Sequence, residues 1–271
     1  MPLDAIAAQL DFFVPDGTKP QVLMAANYTG ENERSGTFRN TPVTIADARV
    51  AEPAPELERE GFELLTHTSY VADFYDEAMI KAIHYPEIIS LLKASTGASH
   101  VHIFDHTLRV QDVDLRDAND TRGPVHIVHN DYTEKSGPQR IVDLLDAETA
   151  KIYQSGRFAL VNVWRSIGAS AERLPLAIAD ARTMAPDDFI ATDLVYEDRT
   201  GEIYQIAYSD AQRWSYFADL TPHEVVLIKC FDSDTGGRAR YTAHGAFDNP
   251  DAPEGTPPRE SIEVRTLISF S

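Results

Sequence analysis

The chain has a single cysteine, Cys230, in 271 residues. One thiol cannot build an internal disulfide framework or a cysteine-based zinc site. Its place in the apolar run Val225-Val226-Leu227-Ile228-Lys229-Cys230-Phe231 predicts a buried, inert side chain. Basic residues are also scarce: 24 Lys and Arg against 43 Asp and Glu leave a formal net charge of −19. That balance argues against nucleic acid, whose phosphates need Lys and Arg, and against anionic membrane surfaces. It does not specify a cationic substrate, because acidity also serves solubility. No apolar run approaches the roughly 20 residues that cross a bilayer. Met1-Pro2-Leu3-Asp4 shows no basic segment leading into an apolar core, so no secretory leader is expected. A soluble, cytoplasmic protein is the expectation.

Internal repeats and long linkers are missing too, and the length suits one domain over residues 1–271. A mixed helical and loop part over 1–100 is expected to pack on a barrel core over 101–271. Early punctuation stands at Pro15-Asp16-Gly17, followed by a short strand near Val43-Thr44-Ile45. Residues 71–96 read as helix in two pieces: Val71, Phe74, Tyr75, Met79 and Ile80 at helical spacing, then a piece opened by Pro86 and closed by Gly97. A later helix is predicted from Pro138 to Gly156. From Val101 onward, short apolar strands dominate: Val101 to Asp105, Val125 to His129, Phe158 to Trp164, Ile203 to Tyr208, Trp214 to Phe217, Glu224 to Phe231, Tyr241 to Ala243 and Ile262 to Phe270. Many short strands after an early helical part predict a mainly β fold with flanking α-helices, a sandwich or jelly roll.

Val125-His126-Ile127-Val128-His129-Asn130-Asp131-Tyr132-Thr133 carries the chemistry. Side chains alternate along a strand, so His129 and Asp131 share one face while Asn130 points to the other. An imidazole and a carboxylate converging from one strand are two of the three ligands of a 2-His-1-carboxylate iron site. About one His-x-Asp arises by chance in a chain of this composition, so the motif needs a third ligand to mean anything. His244, at a strand edge beside Gly245 and Ala246, is the candidate, and His223 in the turn Thr221-Pro222-His223-Glu224 competes with it. His100, His102 and His106 read as strand residues, and His67 and His84 precede the barrel. An iron oxygenase using 2-oxoglutarate also needs a cation for the distal carboxylate, a task that suits the bidentate fork of arginine. Arg259 and Arg265 flank the last strand an even number of residues apart, so alternation cannot choose between them.

The chain resembles a family of non-haem iron oxidoreductases that includes the cephamycin methoxylation protein and a fungal endoperoxide-forming enzyme, sometimes described as gibberellin-desaturase-like. The resemblance runs through Val43-Thr44-Ile45-Ala46-Asp47, Asp73-Phe74-Tyr75, Tyr85-Pro86-Glu87, Phe104-Asp105-His106-Thr107-Leu108-Arg109, His129-Asn130-Asp131-Tyr132-Thr133, Asn162-Val163-Trp164-Arg165, Lys229-Cys230-Phe231-Asp232-Ser233, His244-Gly245-Ala246-Phe247 and Arg259 to Arg265. It implies a double-stranded β-helix (jelly roll, cupin-like) that binds Fe(II) and uses 2-oxoglutarate and dioxygen. Carried over by position, the iron ligands are His129, Asp131 and His244, and Arg259 or Arg265 holds the 2-oxoglutarate. The chain departs from the family at Gln212-Arg213-Trp214, where a His-Arg-Trp run is expected. Glutamine is a poor iron ligand, which leaves His244.

The implied activity is oxidation of a C–H bond of a small secondary metabolite or amino-acid derivative, by hydroxylation, desaturation or cyclisation. Tyr132, Trp164, Arg165 and Trp214 are then expected to line the substrate pocket. Two alternatives compete: a cupin-like hydrolase or isomerase using Zn(II) or Mn(II), and a non-catalytic barrel binding protein. The oligomeric state is open. The apolar stretch Leu10-Asp11-Phe12-Phe13-Val14 fits either its own barrel or a second subunit, as in a homodimer.

Overall fold

A computed structural model describes residues 5–24 and 32–271; the expectation for Met1 to Asp4 falls outside the described residues. The strands are β1 (Ala5–Val14), β2 (Gln21–Leu23), β3 (Glu33–Arg34), β4 (Thr37–Asp47), β5 (Phe62–Thr66), β6 (His100–Val110), β7 (His129–Asn130), β8 (Phe158–Ser166), β9 (Leu176–Ala179), β10 (Phe189–Val195), β11 (Thr200–Ile206), β12 (Trp214–Tyr216), β13 (Glu224–Asp232), β14 (His244–Ala246) and β15 (Glu260–Ser269). Helices α1 (Glu77–Met79) and α2 (Tyr85–Thr96) precede the barrel, and α3 (Val113–Ala118), α4 (Ser136–Leu144) and α5 (Ala147–Gln154) lie between its strands. Among the described residues no helix is long and apolar enough to cross a membrane.

Strand alternation assembles three cores from two sheets. The first sheet runs β5-β13-β8-β15-β6, and the second runs β1-β4-β12-β9-β14-β7-β11-β10-β2-β3. On β8, Phe158, Leu160 and Trp164 face an inner core shared with Ile178 of the second sheet, while Ala159, Val161 and Val163 face outward to Ile80, Ile88 and Leu92 of the helical layer. Both faces being covered, the whole strand is buried, which is why it reads as a continuous apolar run. A third core lies outside the second sheet, where Ile6, Ala8, Leu10 and Phe12 of β1 cover Val128, Ala177, Ala179 and Ile206. Two sheets facing each other around an inner core make the double-stranded β-helix, with helices outside it as expected. The stretch 10–14 is therefore used within the chain: Phe12 packs edge-on to Trp214 at 5.7 Å between ring centroids.

Several boundaries differ from the sequence expectation, each for a local reason. The 71–96 region is one rod from Glu77 rather than two pieces. Asp76 caps its start by accepting from the N–H groups of Ala78 and Met79, so Val71 to Tyr75 stay outside the helix. Pro86, with no N–H to offer, does not break the rod. A π turn over Ile80–His84 absorbs it, its last bond running from the Tyr85 N–H to the Ile80 carbonyl. Gly97 does end α2, in the left-handed conformation at φ 74°. The expected Pro138-to-Gly156 helix is divided because Asp146 caps a new one, accepting from Glu148 and Thr149. Residues 125–128 make only isolated contacts, the Val125 carbonyl accepting from the Ala246 N–H and the Val128 N–H donating to the Asp11 carbonyl, and only His129–Asn130 forms a regular strand.

His84 gives the fold a pH dependence. It is fully buried, its Nδ1 lies 3.2 Å from Glu87 Oε2, and its Nε2 has no partner. Burial pushes its pKa from the ordinary 6.5 down to about 4. Between those values the unfolded chain holds a proton that the native state refuses, so stability falls as pH is lowered through the window. His84→Phe is expected to flatten that decline, seen as a shallower change of urea midpoint with pH; an unchanged slope would show that His84 does not drive it.

Candidate metal centre

β7 lies between β14 and β11, with His129 directly across from His244 on one side and from Gln205 on the other. Directly opposed residues share a face, so both imidazoles and the Gln205 amide project into the inner core. Asn130 points the other way and fastens the turn after β7. Its Nδ2 donates to the carbonyls of Tyr132 at 2.7 Å and Cys230 at 2.9 Å, and its Oδ1 accepts from the Thr242 N–H at 3.2 Å. That turn brings Asp131 back beside His129, with 3.6 Å between Oδ1 and Nε2. One ligand atom from each of His129, Asp131 and His244 lies within 4.8 Å of the others.

The surrounding hydrogen bonds orient all three donors. His129 Nδ1 lies 2.8 Å from the Ile127 carbonyl and His244 Nδ1 lies 3.0 Å from the Thr242 carbonyl. A carbonyl only accepts, so each Nδ1 carries the proton and each Nε2 keeps its lone pair for a metal. Burial, reinforced by the neighbouring His244, lowers the His129 pKa to about 4 and keeps the ring neutral. Burial opposes charge on Asp131, but the Arg265 guanidinium, the two imidazoles and the Asn162 amide outweigh it and hold the carboxyl well below the usual range. Asp131 Oδ2 is occupied by Asn162 Nδ2 at 2.6 Å and faces Arg265 Nε at 3.6 Å, which leaves Oδ1 for a metal. Asn162→Ala is expected to weaken Fe(II) binding about 10- to 100-fold with the fold intact, read by anaerobic calorimetric titration; unchanged affinity would remove Asn162 from the site.

The two candidate arginines differ sharply. Arg265 is committed: Nη2 pairs with Glu263 at 2.9 Å, and Nη1 bonds Asp105 and Thr107 at 2.9 Å each. Arg259 is 2 % exposed, donates through Nη1 to the Leu174 carbonyl at 2.7 Å, stacks over Trp164 and leaves its buried Nε without a partner. Among the described residues it has no ion pair with a carboxylate. Burial, with Arg109 adding to it, lowers its pKa to about 9. Gln205 is fully buried with both amide atoms unpartnered, and Asn162 Oδ1 is unpartnered as well. Buried polar groups are satisfied in native proteins, so these unpartnered atoms point to a polar ligand beside the cluster.

Not every expected site residue is brought here. Tyr132 lies in the inner core beside Asp131, and burial followed by that carboxylate raises its phenol pKa. Trp164 is in the inner core under Arg259. Arg165, the next residue on β8, must face outward. It pairs across with Ile262 of the outer core and donates to the His67 and Pro222 carbonyls beside a separate cavity of about 260 Å³. Trp214 also faces outward, opposite Ala179 in the third core, while its neighbour Ser215 pairs with Ile178 on the His244 side. That parity turns Arg165 and Trp214, both expected to line the pocket, away from the cluster. His223 contacts Thr68 at the outer cavity, and His106 contacts Tyr85, both away from the cluster. Asn162, Gln205 and Glu263 were not anticipated as site residues. Their signal is a polar residue set in an otherwise apolar strand.

Residues 10–269 match a family described as oxidoreductase/YMDC permease-like domain. The chain is 32% identical over 253 residues to the hydroxylase/desaturase efuI of Hormonema carpetanum, covering 85% of this chain and 84% of that one. It is 30% identical over 281 residues to the Fe(II)/2-oxoglutarate-dependent dioxygenase nvfI of Aspergillus novofumigatus, covering 96% and 95%. In three dimensions it matches the iron and alpha-ketoglutarate-dependent endoperoxidase NvfI with a TM-score of 0.87 at 25% identity, over 98% of each chain.

Proposed function

Because the chain belongs to the oxidoreductase/YMDC permease-like domain family, together with these hydroxylase/desaturase and dioxygenase relatives, we propose that it is an Fe(II)- and 2-oxoglutarate-dependent oxidoreductase. Its substrate is a small molecule, a secondary metabolite or amino-acid derivative, oxidised at a C–H bond. The observation that carries this reading is the convergence of His129, Asp131 and His244 from two distant segments of the chain, with both Nε2 atoms and Asp131 Oδ1 turned inward. Two neutral imidazoles and one carboxylate suit Fe(II) and leave coordination positions open. When bound, iron with 2-oxoglutarate and dioxygen supplies the oxidising power.

The chain's own residues supply the rest. Arg259 holds the distal carboxylate of 2-oxoglutarate, being buried and lacking an acidic partner, whereas Arg265 serves to orient Asp131. Gln205 and Asn162 offer unpaired amide groups to whatever occupies the site. Tyr132 and Trp164 wall the site and exclude water. A hydrolase working through a metal-bound water needs no uncompensated buried guanidinium, and a passive binding barrel needs no oriented ligand triad.

The test is an anaerobic titration of 2-oxoglutarate into the apo-protein loaded with Fe(II), followed in the visible spectrum. A weak metal-to-ligand charge-transfer band, saturating with 2-oxoglutarate, is the expected result. Iron binding without the band would discard the 2-oxoglutarate assignment, and no iron binding would overturn the proposal.

A further inference from the structure

A second guanidinium near the cluster has no acidic partner among the described residues. Arg109 lies on β6, the edge strand of its sheet, directly across from Ser261 of β15. Its strand neighbours two and four residues back, Thr107 and Asp105, both bond Arg265 Nη1, so alternation turns Arg109 to the same inner face. Its Nη1 donates to the Gly123 carbonyl at 2.9 Å. Among the described residues no carboxylate pairs with it. Arg259 is sealed at 2 % exposure, whereas Arg109 is only half-buried.

Charge defines what Arg109 can bind. The carboxylates on this face, Asp131, Glu263 and Asp105, are all gathered by Arg265, and among the described residues none of them forms an ion pair with Arg109 or Arg259. A dianionic cosubstrate held at Arg259 balances a divalent metal and leaves Arg109 without a carboxylate of its own. A buried or half-buried cation without a counter-charge is costly, and a planar guanidinium matches a carboxylate. We infer that Arg109 is the recognition residue for a carboxylate on the substrate, which makes the substrate class a small organic acid oxidised at a C–H bond away from its acid group. This inference rests on the oxygenase reading above.

The test uses enzyme loaded with Mn(II) and N-oxalylglycine, an inert analogue of 2-oxoglutarate. Cyclohexanecarboxylate and adamantane-1-carboxylate serve as probes, each against its methyl ester, with metal-induced proton relaxation as the readout. At least one acid is expected to bind saturably near the metal, about tenfold more tightly than its ester. Arg109→Gln is expected to bring the acid down to its ester, with N-oxalylglycine affinity unchanged and Arg109→Lys recovering part of the preference. Acids and esters that behave alike, or fail to bind, overturn the inference. So does an Arg109→Gln variant that loses N-oxalylglycine, which would place Arg109 in the cosubstrate site. Mn(II) and N-oxalylglycine binding are measured first in the same samples. Their failure counts against the oxygenase reading, whereas their success without acid recognition counts against Arg109 alone.

Discussion

His244→Ala is expected to abolish the charge-transfer band and to weaken Fe(II) binding on the order of a thousandfold, about 4 kcal/mol. His244 is buried at 3 % exposure on a three-residue strand between β7 and β9, so nothing mobile stands ready to replace its imidazole. Alanine leaves one imidazole and one carboxylate, a poor site for Fe(II). The control is His223→Ala, which touches the outer cavity and Thr68 rather than the cluster and should keep the band unchanged. These are the two histidines that compete as third ligand in the sequence, so the pair of variants decides between them. A band that survives His244→Ala but not His223→Ala would reverse the assignment. Circular dichroism of the apo-proteins separates loss of metal from loss of fold.

How far the sequence led depends on the range of the interaction concerned. His129 and Asp131 are legible because alternation along a strand and a tight turn are local. The third ligand is not local: its pairing opposite His129 depends on how β14 closes against β7, more than a hundred residues away in the chain. Only the resemblance of His244-Gly245-Ala246-Phe247 to a known family makes that contact readable. Parity along β8 would have separated Trp164 from Arg165 from the start, because adjacent residues of a strand buried on both faces cannot share a pocket. The N-terminal β1 is not among the strands expected from sequence, although Ile6, Ala8, Leu10 and Phe12 alternate cleanly. Its alanines have low strand propensity, and of its partner β4, which is largely exposed, only Val43 to Ile45 reads as strand. Helix spacing failed at Val71 to Tyr75 for another reason. Phe74 is apolar because it packs edge-on to His84 at 5.1 Å and under Arg165, not because it lies on a helix.

Arg259→Met is expected to separate cosubstrate binding from metal binding while making the ligand-free protein more stable. In the free protein the guanidinium is buried with one carbonyl acceptor, an unpartnered Nε and, among the described residues, no carboxylate. Burial, with the neighbouring Arg109 adding to it, drives its pKa down to about 9, a measure of how poorly its charge is compensated. Replacing an unpaired buried ion by an apolar side chain of similar reach is neutral or stabilising, and 1 kcal/mol gained corresponds to about 2–4 °C in melting temperature for a domain of this size class. The cosubstrate loses what the fold gains. Truncating one partner of a buried charge pair costs about 2–5 kcal/mol, so the Kd for 2-oxoglutarate should rise at least about thirtyfold. Fe(II) affinity should stay as it is, because Arg259 makes no contact with Asp131. Arg265→Met should show the opposite division: it strips Asp131 and Glu263 of their cation and should weaken Fe(II) binding first. Thermal melts with and without 2-oxoglutarate, run on the Fe(II)-loaded and metal-free forms, measure both halves. An Arg259→Met protein that melts lower without ligand would mean the guanidinium is structural, and one that still gains the full ligand-induced shift would move the anchor elsewhere in the site.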